Sequence, residues 1–322
     1  MHWYDPYKSQ LEMLYIEAKS IITTFPAPLN ELGLLYADKF DPVNNSGHDY
    51  ICTLLPFWLQ EETGITDEQC RTLAHANIFL MLYFFIQDDV MDGTPSAKWK
   101  PQLAMGNLLY REGLRLLMTL FPSSSSFWVH YDRYLKEWAD CVVNENSDNY
   151  FIANPIKTAG KASPLKLSVA AACSLGGRID RIASLEQAIE LVLMSLQMSD
   201  DWFDWREDFQ DGSYNGLIAM LVAEREDTAP ANEAIIPLPP ITTHEIETEI
   251  YVNGCLNRFV AIVQKNNLLL HDMNLESPHL SSFHKHIVTS LEEIANRITM
   301  KRDLMLKGGL NYFFTMPQSI ES

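Results

Sequence analysis

Two stretches constrain this chain more than any others: FFIQDDVMDG, ending at Gly93, and LQMSDDWFDW, ending at Trp205. Each holds the triplet Asp-Asp-x-x-Asp, and the two copies start 112 residues apart, at Asp88 and Asp200. Each follows a long apolar run with helical spacing. Asp88 and Asp92 fall four apart on one helix face with Asp89 beside them; Asp200, Asp201 and Asp204 repeat the arrangement, and Asp208 extends the face. Like charges at this spacing destabilise a helix, and an aspartate triplet at a helix C-terminus also opposes the macrodipole. A solvated acidic face accounts for one such triplet. Two of them, each closing an apolar helix with the pattern of buried core, call for a functional reason.

Carboxylates in this pattern suit a hard divalent cation. Mg²⁺ takes oxygen ligands, commonly one or two carboxylates together with substrate phosphates. Two facing carboxylate rims would hold Mg²⁺ between them and attract a diphosphate. The formal net charge of −18 argues against nucleic acid and against an anionic membrane surface, and an anionic substrate is then met through metal rather than through a basic surface. The longest purely apolar run, IFLMLYFFI at 78–86, has nine residues, where a bilayer span needs about twenty. The N-terminus lacks a basic segment followed by an apolar one, so no secretory signal is expected. Five scattered cysteines (52, 70, 141, 173 and 255), without C-x-x-C spacing, fit free thiols of a cytoplasmic protein rather than a disulfide frame or a zinc site.

The chain reads as helix throughout. Thr66-x-x-Gln69, Ser184-x-x-Gln187 and Thr242-x-x-Glu245 read as capping boxes, and Ser277-Pro278 places proline at a first helical position. Segments with three-four apolar spacing follow, such as Leu185, Ile189, Val192 and Leu196. Alternating strand patterns are absent. Breaks are predicted at Gly93-Thr-Pro95, Phe121-Pro-Ser and Asn154-Pro155, and in the proline-rich stretch 229–243. No linker composition divides the 322 residues, so the expectation is a single all-α domain of ten or so helices bundled around one core, with about 300–322 as a lid or tail.

With both triplets in place, the sequence resembles the class I isoprenoid synthases, in the branch similar to trans-prenyl diphosphate synthases. LQMSDDWFD (196–204) looks like that family's second aspartate-rich motif, with Gln197 three residues ahead of its first aspartate. KASPLKLSVAAACSLGG (161–177) looks like the helix whose lysine holds the allylic diphosphate, and Lys161 falls at that lysine. REDFQDGSYN (206–215) resembles the stretch that follows. The match runs from about residue 46 to 220. The resemblance implies a helical bundle around a central cavity, Mg²⁺ as cofactor, a prenyl diphosphate substrate and a homodimer. It implies that Asp88, Asp89, Asp92, Asp200 and Asp204 hold metal, that Asp201 belongs to the catalytic set, and that Lys161, with Arg206 and Gln197 as further candidates, serves the diphosphate.

The departures bear on reaction type. A chain-elongating synthase needs a cationic pocket for isopentenyl diphosphate, yet SGHDYICTLLPFW (46–58) has no Lys or Arg. Met81 stands where the family has a histidine, and after the first motif only Lys98 and Lys100 stand where a pair of arginines is usual. A diphosphate without cationic donors is costly to desolvate. The first diphosphate site thus looks intact and the second lost, which suits a terpene synthase: one allylic diphosphate ionises and the cation cyclises or rearranges. The alternatives are a prenyltransferase or prenyl diphosphate synthase with a second acceptor, and a non-catalytic partner subunit. Tyr83 and Phe84, one turn deeper than Asp88, would floor a short cavity and favour farnesyl diphosphate; an ordinary aromatic core is the other reading. Arg206 faces the diphosphate or pairs with Asp204, Glu207 or Asp208. Arg297, Lys301, Arg302 and Tyr312 either close over the mouth or form a solvated basic face.

Overall fold

The computed structural model describes residues 3–41, 50–92, 99–144, 150–228 and 239–308. These form fourteen α-helices and no strand: α1 (Lys8–Ile22), α2 (Leu29–Lys39), α3 (Tyr50–Trp58), α4 (Gln60–Thr63), α5 (Asp67–Asp92), α6 (Trp99–Leu120), α7 (Phe127–Val143), α8 (Tyr150–Ala153), α9 (Leu167–Leu175), α10 (Ile182–Asp211), α11 (Gly216–Thr228), α12 (Thr243–Thr248), α13 (Cys255–Asp272) and α14 (Pro278–Gly308). Three-ten turns occupy Asp5–Tyr7, Pro155–Lys166 and Ile179–Arg181, and a π-turn occupies Glu249–Asn253. Among the described residues no helix is long and apolar enough to cross a membrane.

Helix starts follow local chemistry. At Thr66 the backbone N–H donates to Gln69 Oε1 (2.9 Å) while Gln69 N donates back to Thr66 Oγ1 (3.2 Å), one residue ahead of α5. The same reciprocal box, Thr242 with Glu245, opens α12, and Pro278 is the first residue of α14. The third predicted box is corrected. Ser184 lies inside α10, its hydroxyl donating to the Arg181 carbonyl at 3.0 Å, because the three-ten turn Ile179–Arg181 feeds directly into the helix. Phe121-Pro122 does separate α6 from α7, and Pro155 opens a three-ten segment. The predicted break at 93–95 and residues 229–238 of the proline-rich stretch lie outside the described residues.

The helices cluster into two compact units. The first comprises Met1–Val143, Gly160–Glu190 and Met273–Phe283. Its axis is α5, packed against α1, α3, α6 and α9. The close approach of α6 needs Gly113, since a Cβ there would stand 2.9 Å from the Leu80 side chain. Trp3, Trp58 and Phe283 pack ring against ring, with Trp3–Phe283 centroids 5.0 Å and Trp58–Phe283 centroids 5.2 Å apart. The unit also buries charge. Lys166, only 3% exposed, donates to both Glu137 oxygens (2.7 and 2.8 Å) and to Glu190 (2.8 Å). Beside it Arg133 and the Tyr134 hydroxyl both donate to Glu186. Such a cluster is tolerable only because every charge has a partner.

The second unit comprises Asn144–Ala159, Leu191–Asp272 and His284–Ser322. Val192, Ile246, Phe259, Val263 and Leu291 form its core. At its centre His284 is fully buried. Its Nε2 lies 2.9 Å from Ser195 Oγ, and its Nδ1 lies 3.2 Å from Asn267 Oδ1. Ser195 Oγ also accepts from Asn266 Nδ2 at 3.2 Å and lies 3.0 Å from the Leu191 carbonyl oxygen. Desolvation pushes the His284 pKa down to about 4, which keeps the imidazole neutral. The cysteines are free thiols, with Cys70, Cys141, Cys173 and Cys255 buried and Cys52 half-buried.

Candidate active site

In the first unit, Asp88 and Asp89 occupy the last described turns of α5, and both are exposed. Tyr36, from α2, donates its hydroxyl to Asp89 Oδ2 at 2.7 Å, which offsets part of the like-charge repulsion. The side chain of Asp92 lies outside the described residues. One turn deeper, α5 is aromatic all round. Tyr83 packs on Tyr110 of α6 (centroids 4.6 Å), Phe84 on Trp138 of α7 (5.0 Å) and Phe85 on Phe40 after α2 (4.7 Å). The hydroxyl of Tyr131 continues the line to Tyr110 at 2.7 Å. Both predicted cavity residues, Tyr83 and Phe84, are therefore half-buried among rings. Met81 is buried in the core, 5% exposed. Lys161 is half-buried, but it does not sit on an α-helix as the resemblance implied. It lies on the three-ten segment Pro155–Lys166 that precedes α9, with Pro164 inside that segment lacking the N–H an α-helix would use.

In the second unit the members of the triplet differ in burial. Asp200 is half-buried, Asp204 is exposed and Asp201 is 3% exposed. Asp201 is engaged at both oxygens: Gln197 Nε2 donates to Oδ1 at 3.0 Å, and the backbone N–H of Gly216 donates to Oδ2 at 2.9 Å. Gly216 opens α11, so the carboxylate sits where that helix presents its unpaired amides. The approach requires glycine, since a Cβ would stand 2.7 Å from Asp201 Oδ2 and 2.9 Å from the Phe151 ring. Asn215 makes four bonds. Its Nδ2 donates to the Asp201 carbonyl (2.7 Å) and to Asp208 Oδ2 (2.8 Å), while its Oδ1 accepts from Leu217 N (3.0 Å) and Ile218 N (3.2 Å).

Two expectations about this region change. The second triplet does not end its helix, because α10 continues to Asp211 and turns only at Gly212, where φ is +75°. Arg206 pairs with none of the acids weighed for it on α10; it donates to Glu247 of α12 at 2.8 Å and lies over the Trp205 ring at 4.6 Å. Gln197 is accounted for by Asp201. Of the C-terminal cations, Arg297 and Lys301 are exposed, and Arg302 bonds Asp303 (3.2 Å) and the Val252 carbonyl (3.4 Å). Tyr312 lies outside the described residues. Among the described residues no three His, Cys, Asp or Glu side chains converge into a preformed metal cage. The donor set is carboxylate oxygen only, and it suits a cation that protein binds through few ligands and phosphate completes. Asn215 carried no readable signal beyond its place after a Gly-Ser turn, and Lys166 none beyond its being a second lysine near Lys161.

No protein-family model matches the chain, and no curated protein matches it in sequence. Solved structures do match. A heptaprenyl diphosphate synthase from Staphylococcus aureus aligns at TM-score 0.65 and 16% identity, over 89% of this chain and 97% of that one. A geranylgeranyl pyrophosphate synthase from Lactobacillus brevis aligns at 0.65 and 15%, over 89% and 97%. A polyprenyl synthase from Caulobacter crescentus, complexed with calcium and isoprenyl diphosphate, aligns at 0.63 and 16%, over 87% and 95%. At these identities the likeness is one of fold. The chain is thus built on the all-α isoprenoid-synthase fold and resembles the trans-prenyl diphosphate synthases.

Proposed function

We propose that the chain is an Mg²⁺-dependent enzyme that ionises an allylic prenyl diphosphate and transfers the prenyl group to an acceptor other than isopentenyl diphosphate. The observation that carries this reading is the fold likeness over nearly nine-tenths of the chain to proteins named as prenyl synthases, in a sequence that keeps both Asp-Asp-x-x-Asp triplets. Those neighbours are named as synthases of prenyl diphosphates rather than as cyclases, which favours transfer over the cyclisation expected from sequence. A nucleophile without a diphosphate suits the lack of Lys and Arg in 46–58 and the methionine at 81.

Asp88, Asp89 and Asp92 of the first triplet and Asp200 and Asp204 of the second would each hold metal. When bound, Mg²⁺ supplies Lewis-acid stabilisation of the departing diphosphate. Lys161 donates to the same diphosphate. Asp201 keeps α10 oriented rather than ligating. Tyr83 and Phe84 bound the space beyond Asp88 and favour a C15 chain, and their ring faces stabilise passing positive charge by about 0.5–2 kcal/mol each. Arg206 becomes a diphosphate donor only by leaving Glu247. Cyclisation without an acceptor is the second reading, carried by the same missing cations.

The test incubates purified protein with Mg²⁺ and geranyl, farnesyl or geranylgeranyl diphosphate. Each is run alone, with isopentenyl diphosphate, and with uncharged aromatic acceptors, and products are read by mass spectrometry. Acceptor-dependent prenylation, reduced on the order of a hundredfold or more by Asp88→Ala, is the expected result. A cyclic hydrocarbon or alcohol from one diphosphate alone would establish the second reading. Elongation only with isopentenyl diphosphate would refute the lost-pocket argument.

A further inference from the structure

Asn215 joins two jobs in one buried side chain. Its Oδ1 caps α11 through Leu217 N and Ile218 N, and its Nδ2 grips α10 at the Asp201 carbonyl and at Asp208. Only 3% of it is exposed. At about 100° per residue, Asp201 and Asp208 lie close together around α10, while Asp200 and Asp204 occupy the neighbouring stripe. Clamping the first pair onto α11 fixes the rotation of α10 about its own axis. That rotation decides which way Asp200 and Asp204 present their oxygens. Gly216 N adds a second hold, on Asp201 Oδ2 at 2.9 Å. Phe151, whose N–H donates to Tyr214 Oη at 2.8 Å, also packs close to Gly216.

We infer that Asn215 is a positioning residue: its donor half, acting through Asp201 and Asp208, sets the orientation of Asp200 and Asp204 toward a divalent cation. The inference rests on the functional reading above and deepens it at the same triplet. Asp208, which the helix spacing places with the metal-facing acids, is assigned instead to the clamp. A residue that orients ligands from behind typically costs 10–100-fold in metal affinity when lost.

The two jobs separate chemically. Asn215→Asp keeps a good cap, because aspartate accepts from Leu217 N and Ile218 N as asparagine does. It loses both donor bonds and sets a like charge against Asp208. Adding Asp208→Asn returns a donor to that pair in reverse order. Mn²⁺ binding in the presence of inorganic diphosphate, read by electron paramagnetic resonance, and the Mg²⁺ dependence of turnover are measured for wild type, both single variants and the double variant, beside urea unfolding and amide exchange across 199–218. The expected result is Mn²⁺ affinity weakened at least about tenfold in Asn215→Asp, with faster exchange at 199–208, and recovery of most of the affinity in the double variant. Wild-type-like Mn²⁺ affinity in Asn215→Asp would overturn the positioning role and leave the functional reading standing. A loss of affinity that tracks a fall in the unfolding midpoint and is not recovered in the double variant would reduce Asn215 to a cap. Wild-type protein whose Mn²⁺ binding is absent or indifferent to Asp200→Asn would overturn the functional reading itself.

Discussion

His284 offers a measurement in which the folded structure fixes both sign and size. The imidazole is wholly buried against Ser195 and Asn267, and its pKa is lowered to about 4 by burial, against about 6.5 in an unfolded chain. The unfolded state therefore binds the proton more readily than the folded one. The stability that a neutral His284 contributes is complete above pH 6.5 and is lost as pH falls toward 4. Linkage between those two values gives a loss of about 2 kcal/mol from pH 7 to pH 5 and about 3 kcal/mol by pH 4. Carboxylates also titrate in this range, so the quantity to measure is a difference. Urea unfolding of wild type and His284→Gln, followed by circular dichroism at half-unit steps from pH 7 to pH 4.5, isolates it. The substituted glutamine amide can still hydrogen-bond Ser195 and carries no titrating proton. The wild-type free energy falls more steeply than the variant's, and the gap closes by about 2 kcal/mol at pH 5. Parallel curves would mean that the histidine is solvated or paired in a way that removes its desolvation, and the burial argument would fail.

Two further perturbations test the packing. Lys166→Met leaves Glu137 and Glu190, which now share one ammonium, facing each other without it; unfolding free energy falls by about 3 kcal/mol, and adding Glu190→Gln restores part of it. Gly176→Ala would place a methyl 1.9 Å from the Thr63 carbonyl oxygen, so backbone must shift, at a cost of about 3 kcal/mol in unfolding free energy, read from urea titration; a variant within about 1 kcal/mol of wild type would show that α4 and α9 slide freely.

What could be read from sequence was whatever is periodic or local. Thr66 with Gln69 and Thr242 with Glu245 are three-residue signals, and both helices start where those signals stand. Ser184 carried the same signal and failed, because the preceding three-ten turn had already nucleated α10. The triplets were legible because charge at helical spacing is conspicuous in an apolar run. Which of their members point outward was not, since Asp201 is turned inward by a backbone amide fifteen positions away. The partner of Arg206 was equally hidden: Glu247 is forty-one positions on, in a helix of its own. Pairings of that kind leave no period in the chain; they are set by the angle at which helices meet.

The thiols set deep in the helices have a consequence for handling the protein. Cys70, Cys173 and Cys255 each have their pKa pushed up to about 12 by burial. At neutral pH only on the order of one molecule in 10⁵ carries a thiolate at any one of these positions, and the thiolate is the form that alkylating and oxidising reagents attack. A spin label or fluorophore directed to a cysteine engineered at exposed Phe203 would react many orders of magnitude sooner than any of these three. The native chain already carries, at those positions, the chemical silence that labelling studies usually have to engineer.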